Sequence, residues 1–307
     1  MSPLRPPMNL FRFRVHALKA MLPALAVALA LAGCSFVQMG YNQLDRLIAW
    51  RLDDYLPMYS AQRAEVEPAV TRLVDWHCAT QLPAYSAWLR TVDADMRAGL
   101  SVARANVHID QALGFGHDIA RRAAREVGPL MVGATPAQIE TFNKRMKKSN
   151  RDYVEDWVEP PRDELVRERA KRMKKRSEAW LGKLTPAQLA LIDDWARDVR
   201  SNGEDGMESR RRWQTALADV LARRNADRGA VISDLETLFV SPGNVFTPGY
   251  SAAFDANRAR AAEALSALSA SLTPTQRKHL QREAASLIAD IEQIACRRSE
   301  FSLQARS

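Results

Sequence analysis

The sequence predicts an all-α protein, built of antiparallel helical hairpins packed into a compact or elongated bundle behind a cleaved leader. Three observations carry that prediction. Apolar residues recur at spacings of three and four through most of the 307 residues, the period of one helix face. Glycines and prolines gather mostly between the periodic segments. Alternating β-branched runs are nearly absent, while alanine, leucine and arginine, all good helix formers, dominate.

Residues 1–33 read as an export leader. Arg5, Arg12, Arg14 and Lys19 make a positive start with no acidic residue, and Ala20 to Ala32 is an apolar run interrupted only by Pro23. The run falls short of the roughly 20 apolar residues that a membrane-spanning helix needs. Its ending, Leu31-Ala32-Gly33-Cys34, resembles the bacterial lipobox. That resemblance implies a thioether from Cys34 to diacylglycerol, cleavage between Gly33 and Cys34, and acylation of the new amine. Two or three acyl chains hold a protein stably, because each buried methylene contributes about 0.8 kcal/mol. Ser35, where an aspartate would signal retention, implies the periplasmic face of the outer membrane in a Gram-negative envelope. An ordinary signal peptide with an incidental cysteine is the plainer alternative.

The mature part, 34–307, is expected to be a single helical domain. The whole chain carries +8, of which the leader supplies four, leaving +4. So slight an excess on an exported protein speaks against nucleic acid. Cys78 and Cys296 remain after Cys34. In an oxidising compartment they form a candidate disulfide, against the alternative of two buried thiols that pack as small hydrophobes.

A first helix is expected over 36–57, with Tyr41, Leu44, Ile48, Leu52 and Tyr55 on one face and Leu47 and Trp50 widening it. Residues 60–98 read as one long helix or two in line, kinked or broken at Pro68 and Pro83. Residues 102–127 follow, closed by Gly128-Pro129. Further helices are expected over 136–158, 162–182 and 186–200. A polar, glycine-rich loop from Ser201 to Gly206 precedes a helical stretch over 207–240, with Gly229 as a candidate interruption. After a second loop around Ser241 to Gly249 come helices over 250–270 and 274–297.

Tyr41-Asn42-Gln43-Leu44-Asp45 and Trp50-Arg51-Leu52-Asp53-Asp54-Tyr55, followed by Trp76-His77 and Leu82-Pro83-Ala84-Tyr85, resemble the opening of a proteobacterial lipoprotein family known only as a domain of unknown function. The resemblance implies a helical lipoprotein and supplies no activity.

One short element recurs: Thr135-Pro136-Ala137-Gln138, Thr185-Pro186-Ala187-Gln188 and Thr273-Pro274-Thr275-Gln276, with Ser60-Ala61-Gln62 as a relaxed fourth copy. Thr caps a helix, Pro takes the first position and Gln reaches back to the cap. The unequal spacing argues against a solenoid. Leu184–Gln188 and Leu272–Gln276 are also similar to the Leu-Thr-x-x-Gln elements of periplasmic chaperones of the Spy and CpxP type. Capping alone accounts for the string.

Residues 141–183 hold fourteen Lys and Arg against eight Asp and Glu. Lys144, Arg145, Lys147, Lys148 and Arg151, then Arg169, Arg172, Lys175 and Arg176, are the candidate face for an anionic partner: lipid phosphates, an acidic envelope polymer or an acidic protein. A solvated pair of helices laced by pairs such as Glu168–Arg172 is the plainer reading. His77-Cys78 are neighbours about 100° apart on a helix, which sets the imidazole off the sulfur. His108 and His117, near Asp110 and Asp118, fall on opposite helix faces, so one helix cannot make a metal site of them. Asp53-Asp54 and Asp193-Asp194 read as polar faces, and the seven tryptophans as core. No catalytic residue, metal or cofactor is expected. The expected function is a non-enzymatic interaction or scaffold protein, held to the membrane by its acyl chains. A holdase-like chaperone is the alternative and an enzyme acting on envelope polymers a weaker third; the oligomeric state is open.

Overall fold

The structure is a computed structural model. It describes the backbone of residues 40–223 and 228–304, and side chains over 40–223 and 229–294. The leader, Gly33, Cys34 and the Cys296 side chain lie outside the described residues. Contacts divide the chain into Met1–Leu44 and a compact unit, Asp45–Ser307. In the first, Gln43 N–H donates to the Gly40 carbonyl at 3.2 Å.

The fold is all-α, with no strand among the described residues. Helix α1 spans Leu44–Tyr55 and buries none of its residues fully; residues 36–39 of the expected first helix lie outside the described residues, and its end falls at Tyr55 rather than residue 57. Leu47 and Trp50 do not widen an inner face: they are 53% and 66% exposed. Ion pairs tie α1 down instead. Asp53 accepts both Oδ contacts from Arg63 Nη2 at 2.8 Å and the Met58 N–H at 2.8 Å, and Asp54 meets Arg145 at 2.6 Å.

Helix α2 (Ser60–Trp76) and α3 (Leu82–Ala98) are joined by a π-turn, His77–Gln81. Neither proline breaks the run. Pro68 sits on an exposed face together with Ala64, so the carbonyl it leaves unbonded faces water. Before Pro83 the chain widens by one residue: Leu82 N–H bonds the carbonyl of His77, five residues back. The π-turn takes up the lost hydrogen bond and keeps the helical run unbroken. Ser101 then caps α4, Val102–Val132. At about 1.5 Å per residue this helix is about 46 Å long. It runs through Gly128-Pro129 rather than stopping there. Gly128 is buried, and a Cβ there would make only an ordinary contact with Leu235 Cδ1, at 3.7 Å.

The remaining helices are α5 (Pro136–Trp157), α6 (Arg162–Leu181), α7 (Pro186–Asp198), α8 (Gly203–Ala222), α9 (Arg228–Val240), α10 (Pro248–Ala270) and α11 (Pro274–Gln304). Gly182, at φ 72°, ends α6 in the left-handed region that glycine enters freely. The stretch expected over 207–240 is two helices, α8 and α9, and two further boundaries differ from the sequence reading. The glycine-rich stretch opens α8, because Gly203 and Gly206 serve close packing rather than a loop. Thr247 caps α10, its Oγ1 accepting the Tyr250 N–H at 3.1 Å.

Helix α4 is the spine, with α2, α9 and α10 packed along it, while α11 lies against α3, the π-turn and α6. One core gathers Leu217, Val220 and Leu221 of α8 with Val231, Leu235 and Leu238 of α9. A second joins Leu181, Leu184 and Ile192 to Leu268 and Leu272. A third sets Leu100 and Ala105 against Ala262. Arg125 grips Glu236 with two 2.8 Å bonds across α4 and α9.

The recurrent caps meet in pairs. Gln188 and Gln276 exchange amide bonds of 2.9 and 2.8 Å. Gln188 Nε2 also donates to the Ser271 carbonyl and Gln276 Nε2 to that of Lys183. Their Oε1 atoms accept the cap N–H groups of Thr185 and Thr273. The other two copies repeat the arrangement. Gln138 and Gln62 exchange bonds of 2.7 and 3.2 Å, Gln138 donates to the Pro57 carbonyl and Gln62 reaches that of Gly133. Their Oε1 atoms accept from Thr135 N–H and Tyr59 N–H. The cap of the relaxed copy is therefore Tyr59, one residue before Ser60. In all four, the carbonyl engaged lies two residues before the partner's cap.

Leu235 is fully buried between α8, α9 and Gly128 of α4. Leu235→Ala is expected to cost about 2–5 kcal/mol in urea unfolding followed by helical circular dichroism.

Candidate functional site: basic helices beside an aromatic cleft

Much of the basic stretch is absorbed by the fold. On α5, Lys144 pairs with Glu140 at 2.7 Å and Lys148 with Asp152 at 2.9 Å, while Arg145 holds Asp54 of α1. On α6, Lys171 pairs with Glu168 at 3.2 Å and Lys174 approaches Glu178 at 3.9 Å. The expected Glu168–Arg172 pair gives way, because the Arg172 guanidinium lies over the Trp157 ring at 5.3 Å. Arg169 is not an outward cation. Its Nη1 donates to the Ala196 carbonyl at 2.6 Å, and Arg162 Nη2 to that of Arg197 at 3.2 Å. Together they satisfy orphan carbonyls at the C-terminus of α7, where positive charge is favoured. Burial first, then the Arg172 and Arg162 charges, pull the Arg169 pKa down. Lys147, Arg151, Arg167, Lys175, Arg176 and Lys183 remain: all are exposed, and none has a carboxylate within ion-pair distance among the described residues.

Beside α5 opens a cleft of about 570 Å³. Its walls come from α1, α5, α8, the end of α9 and the start of α10. Trp213 and Phe239 meet edge to face at 5.4 Å, and Phe246 and Tyr250 at 5.0 Å. Tyr55 and Met146 complete the apolar lining, and Arg210, Ser149, Ser209 and Gln214 add polar groups. Each is positioned by a specific bond. Trp213 Nε1 donates to the Leu238 carbonyl at 3.1 Å. Gln214 and Asn150 exchange amide bonds of 2.9 and 2.8 Å. Ser209 Oγ accepts the Thr247 N–H at 3.0 Å. Arg210 donates to Ser149 Oγ at 3.0 Å and lies over the Tyr153 ring at 5.1 Å. Burial pushes the Tyr153 hydroxyl pKa up, and Arg210 partly offsets this.

Two glycines let α8 come close enough to form the wall. A Cβ at Gly203 would stand 2.1 Å from the Trp157 carbonyl oxygen, and one at Gly206 2.1 Å from Tyr153 Oη. Residues 54–251, which include every cleft residue, match the model of the family of unknown function DUF6279. The chain belongs to DUF6279. No curated protein and no solved structure matches it.

The other candidate residues of this DUF6279 chain are drawn into packing. His77 and Cys78 lie in the π-turn. His77 Nε2 faces the Tyr85 hydroxyl at 3.2 Å, and burial lowers its pKa. Cys78 is buried, its Sγ 3.7 Å from the Ile294 carbonyl. His108 meets Asp95 at 2.8 Å, Asp110 pairs with Arg258, and Asp118 pairs with Arg121 at 3.0 Å. Asp194 pairs with Arg197 on the same helix. The tryptophans divide: Trp50, Trp157 and Trp180 are exposed, against the expectation of core, because α1, the end of α5 and the end of α6 turn those faces to solvent. A second hollow of about 400 Å³ lies over the Gln188–Gln276 pair, whose polar groups are already satisfied by each other.

The cleft was not visible from the sequence. The available signal was a polar, glycine-rich stretch immediately before the Arg210–Trp213 turn of a helix. Gly203→Ala is expected to cost about 1–3 kcal/mol by overpacking. Gly243→Ala, with nothing within 4 Å of its Cβ, should stay within about 0.5 kcal/mol. Urea denaturation of the two variants checks the contrast.

Proposed function

We propose that this protein is a lipid-anchored, non-enzymatic interaction protein of the bacterial envelope, held by acyl chains on Cys34 and engaging an anionic envelope component through α5 and α6. The observation that carries the reading is the set of uncompensated cations on α5 and the end of α6, Lys147, Arg151, Lys175 and Arg176. In a chain where most described arginines find a carboxylate, these four exposed charges are left without one and offer a counter-charge site. Phosphate head groups suit them, each basic residue near an anionic surface contributing about 1 kcal/mol.

The first helix supports the anchor. Leu47 and Trp50 stand exposed on α1, flanked by Arg46 and Arg51, the amphipathic mix that favours a membrane interface. Cys34 lies only ten residues before Leu44, where α1 starts, so an acylated cysteine would keep these side chains close to the bilayer. The holdase alternative asks for an extended apolar concavity beside α5 and α6. The cleft that borders α5 has room for one compact group rather than a stretch of unfolded chain, which weighs against it.

Two measurements test the proposal. Radioactive palmitate should label the wild-type chain and fail to label Cys34→Ala; equal labelling would reject the anchor. The unacylated Cys34→Ala chain should co-sediment with phosphatidylglycerol vesicles at low salt. Adding Lys147→Gln, Arg151→Gln, Lys175→Gln and Arg176→Gln should weaken that binding about tenfold or more, and unchanged binding would reject the basic face.

A further inference from the structure

We infer that the aromatic cleft is a binding site for a small amphipathic anion, a molecule with a compact ring-bearing apolar body and one carboxylate or similar charge, read by Arg210. The volume of about 570 Å³ falls within the roughly 300–1,000 Å³ of small-molecule sites. The lining has the composition of such sites: aromatic walls with a few convergent polar groups.

Arg210 sets the ligand's charge. A guanidinium has five N–H donors. Here Nη2 is given to the Ser149 hydroxyl, and Nε reaches only weakly, at 3.4 Å, to the Asn150 amide. Both acceptors are neutral. Among the described residues no carboxylate lies within ion-pair distance of Arg210, although its helix neighbours Arg211 and Arg212 both reach Glu208. Asp205, next in sequence to the cleft residue Gly206, is committed elsewhere: its Oδ1 accepts from Thr247 Oγ1 at 3.1 Å, and its carboxylate crowds the backbone at Gly249. A half-buried cation thus stands among rings with donors to spare. Tyr153 stacks under it and Ser149 fixes one edge, so the guanidinium is held in place before any ligand arrives.

The rings set the ligand's body. Trp213, Phe239, Phe246 and Tyr250 are each partly exposed, and each edge-to-face pair is locked by its neighbours. A flat or cyclic apolar group entering the cleft removes that surface from water without reordering it. The other polar residues are already paired, Gln214 with Asn150 and Ser209 with Thr247. They offer orientation and leave Arg210 as the cleft's uncompensated charge.

The test uses the full chain in isolated membranes and the photoreactive probe 4-benzoylbenzoate, an aromatic carboxylate. Irradiation should label Met146, which lines the cleft, as read by mass spectrometry of the digested protein. Unlabelled 1-naphthoate should suppress this labelling at a concentration about tenfold lower than the neutral 1-naphthalenemethanol, the difference a charge-assisted bond makes. In Arg210→Gln the two competitors should become equal. Absence of label from the cleft, equal competitors on the wild-type chain, or a carboxylate preference that survives in Arg210→Gln would each overturn the inference. The wild-type comparison stands even where the variant fails to fold.

Discussion

The reciprocal glutamine pair is the constraint on which the arrangement of this bundle depends. A capping box needs only an acceptor at its third position, and glutamate and glutamine serve equally there. Each glutamine here does more. Its oxygen accepts from its own cap and from its partner, and its amide donates to the partner and to a carbonyl of the partner's incoming chain. Gln188 is wholly buried and Gln276 and Gln138 nearly so, yet every donor and acceptor on them is used. Burying an amide costs little once all its bonds are made, and several kilocalories if they are not. The pairs therefore fix which helix starts meet. Through Gln62 and Gln138, α2 is joined to α5; through Gln188 and Gln276, α7 is joined to α11.

That constraint explains the rest of the layout. With two helix starts held together at each pair, the apolar faces that follow have little freedom of register. Leu184 and Leu272 flank the Gln188 pair and enter one core with Ile192 and Leu268. Ala134 is buried beside the Gln138 pair, next to Met131, Val132 and Ile139, which pack on the core of α8 and α9. That second core carries Trp213 and Phe239 at its edge, and these rings form one wall of the aromatic cleft. The site is thus built on side chains whose backbones are set by buried polar bonds some distance away.

The helices were legible in the sequence because their signals are local: three- and four-residue apolar spacing, and Thr-Pro-x-Gln starts. What escaped was what depends on partners. Pro68 and Pro83 read as kinks or breaks, since nothing local shows that an exposed carbonyl or a π-turn absorbs the missing bond. Leu47 and Trp50 read as core, since periodicity says which residues share a face and not whether anything covers it. Glutamine rather than glutamate in all four caps was the one trace of the pairing. The basic stretch was visible as composition, but only the fold separates Arg169, spent on the Ala196 carbonyl, from Arg176, left in water. The cleft draws its rings from separate segments far apart in the chain, so no window of sequence contains it.

The reciprocal pairing is tested most directly by Gln188→Glu, which keeps the acceptor that caps α7 and removes the amide donors that bind α11. If the residue only capped its helix, stability would stay within about 0.5 kcal/mol of wild type. Mutual pairing predicts instead a loss of about 3 kcal/mol in urea unfolding at neutral pH, shrinking on acidification as the introduced carboxyl takes up a proton and regains a donor. Near-wild-type stability at neutral pH would contradict it.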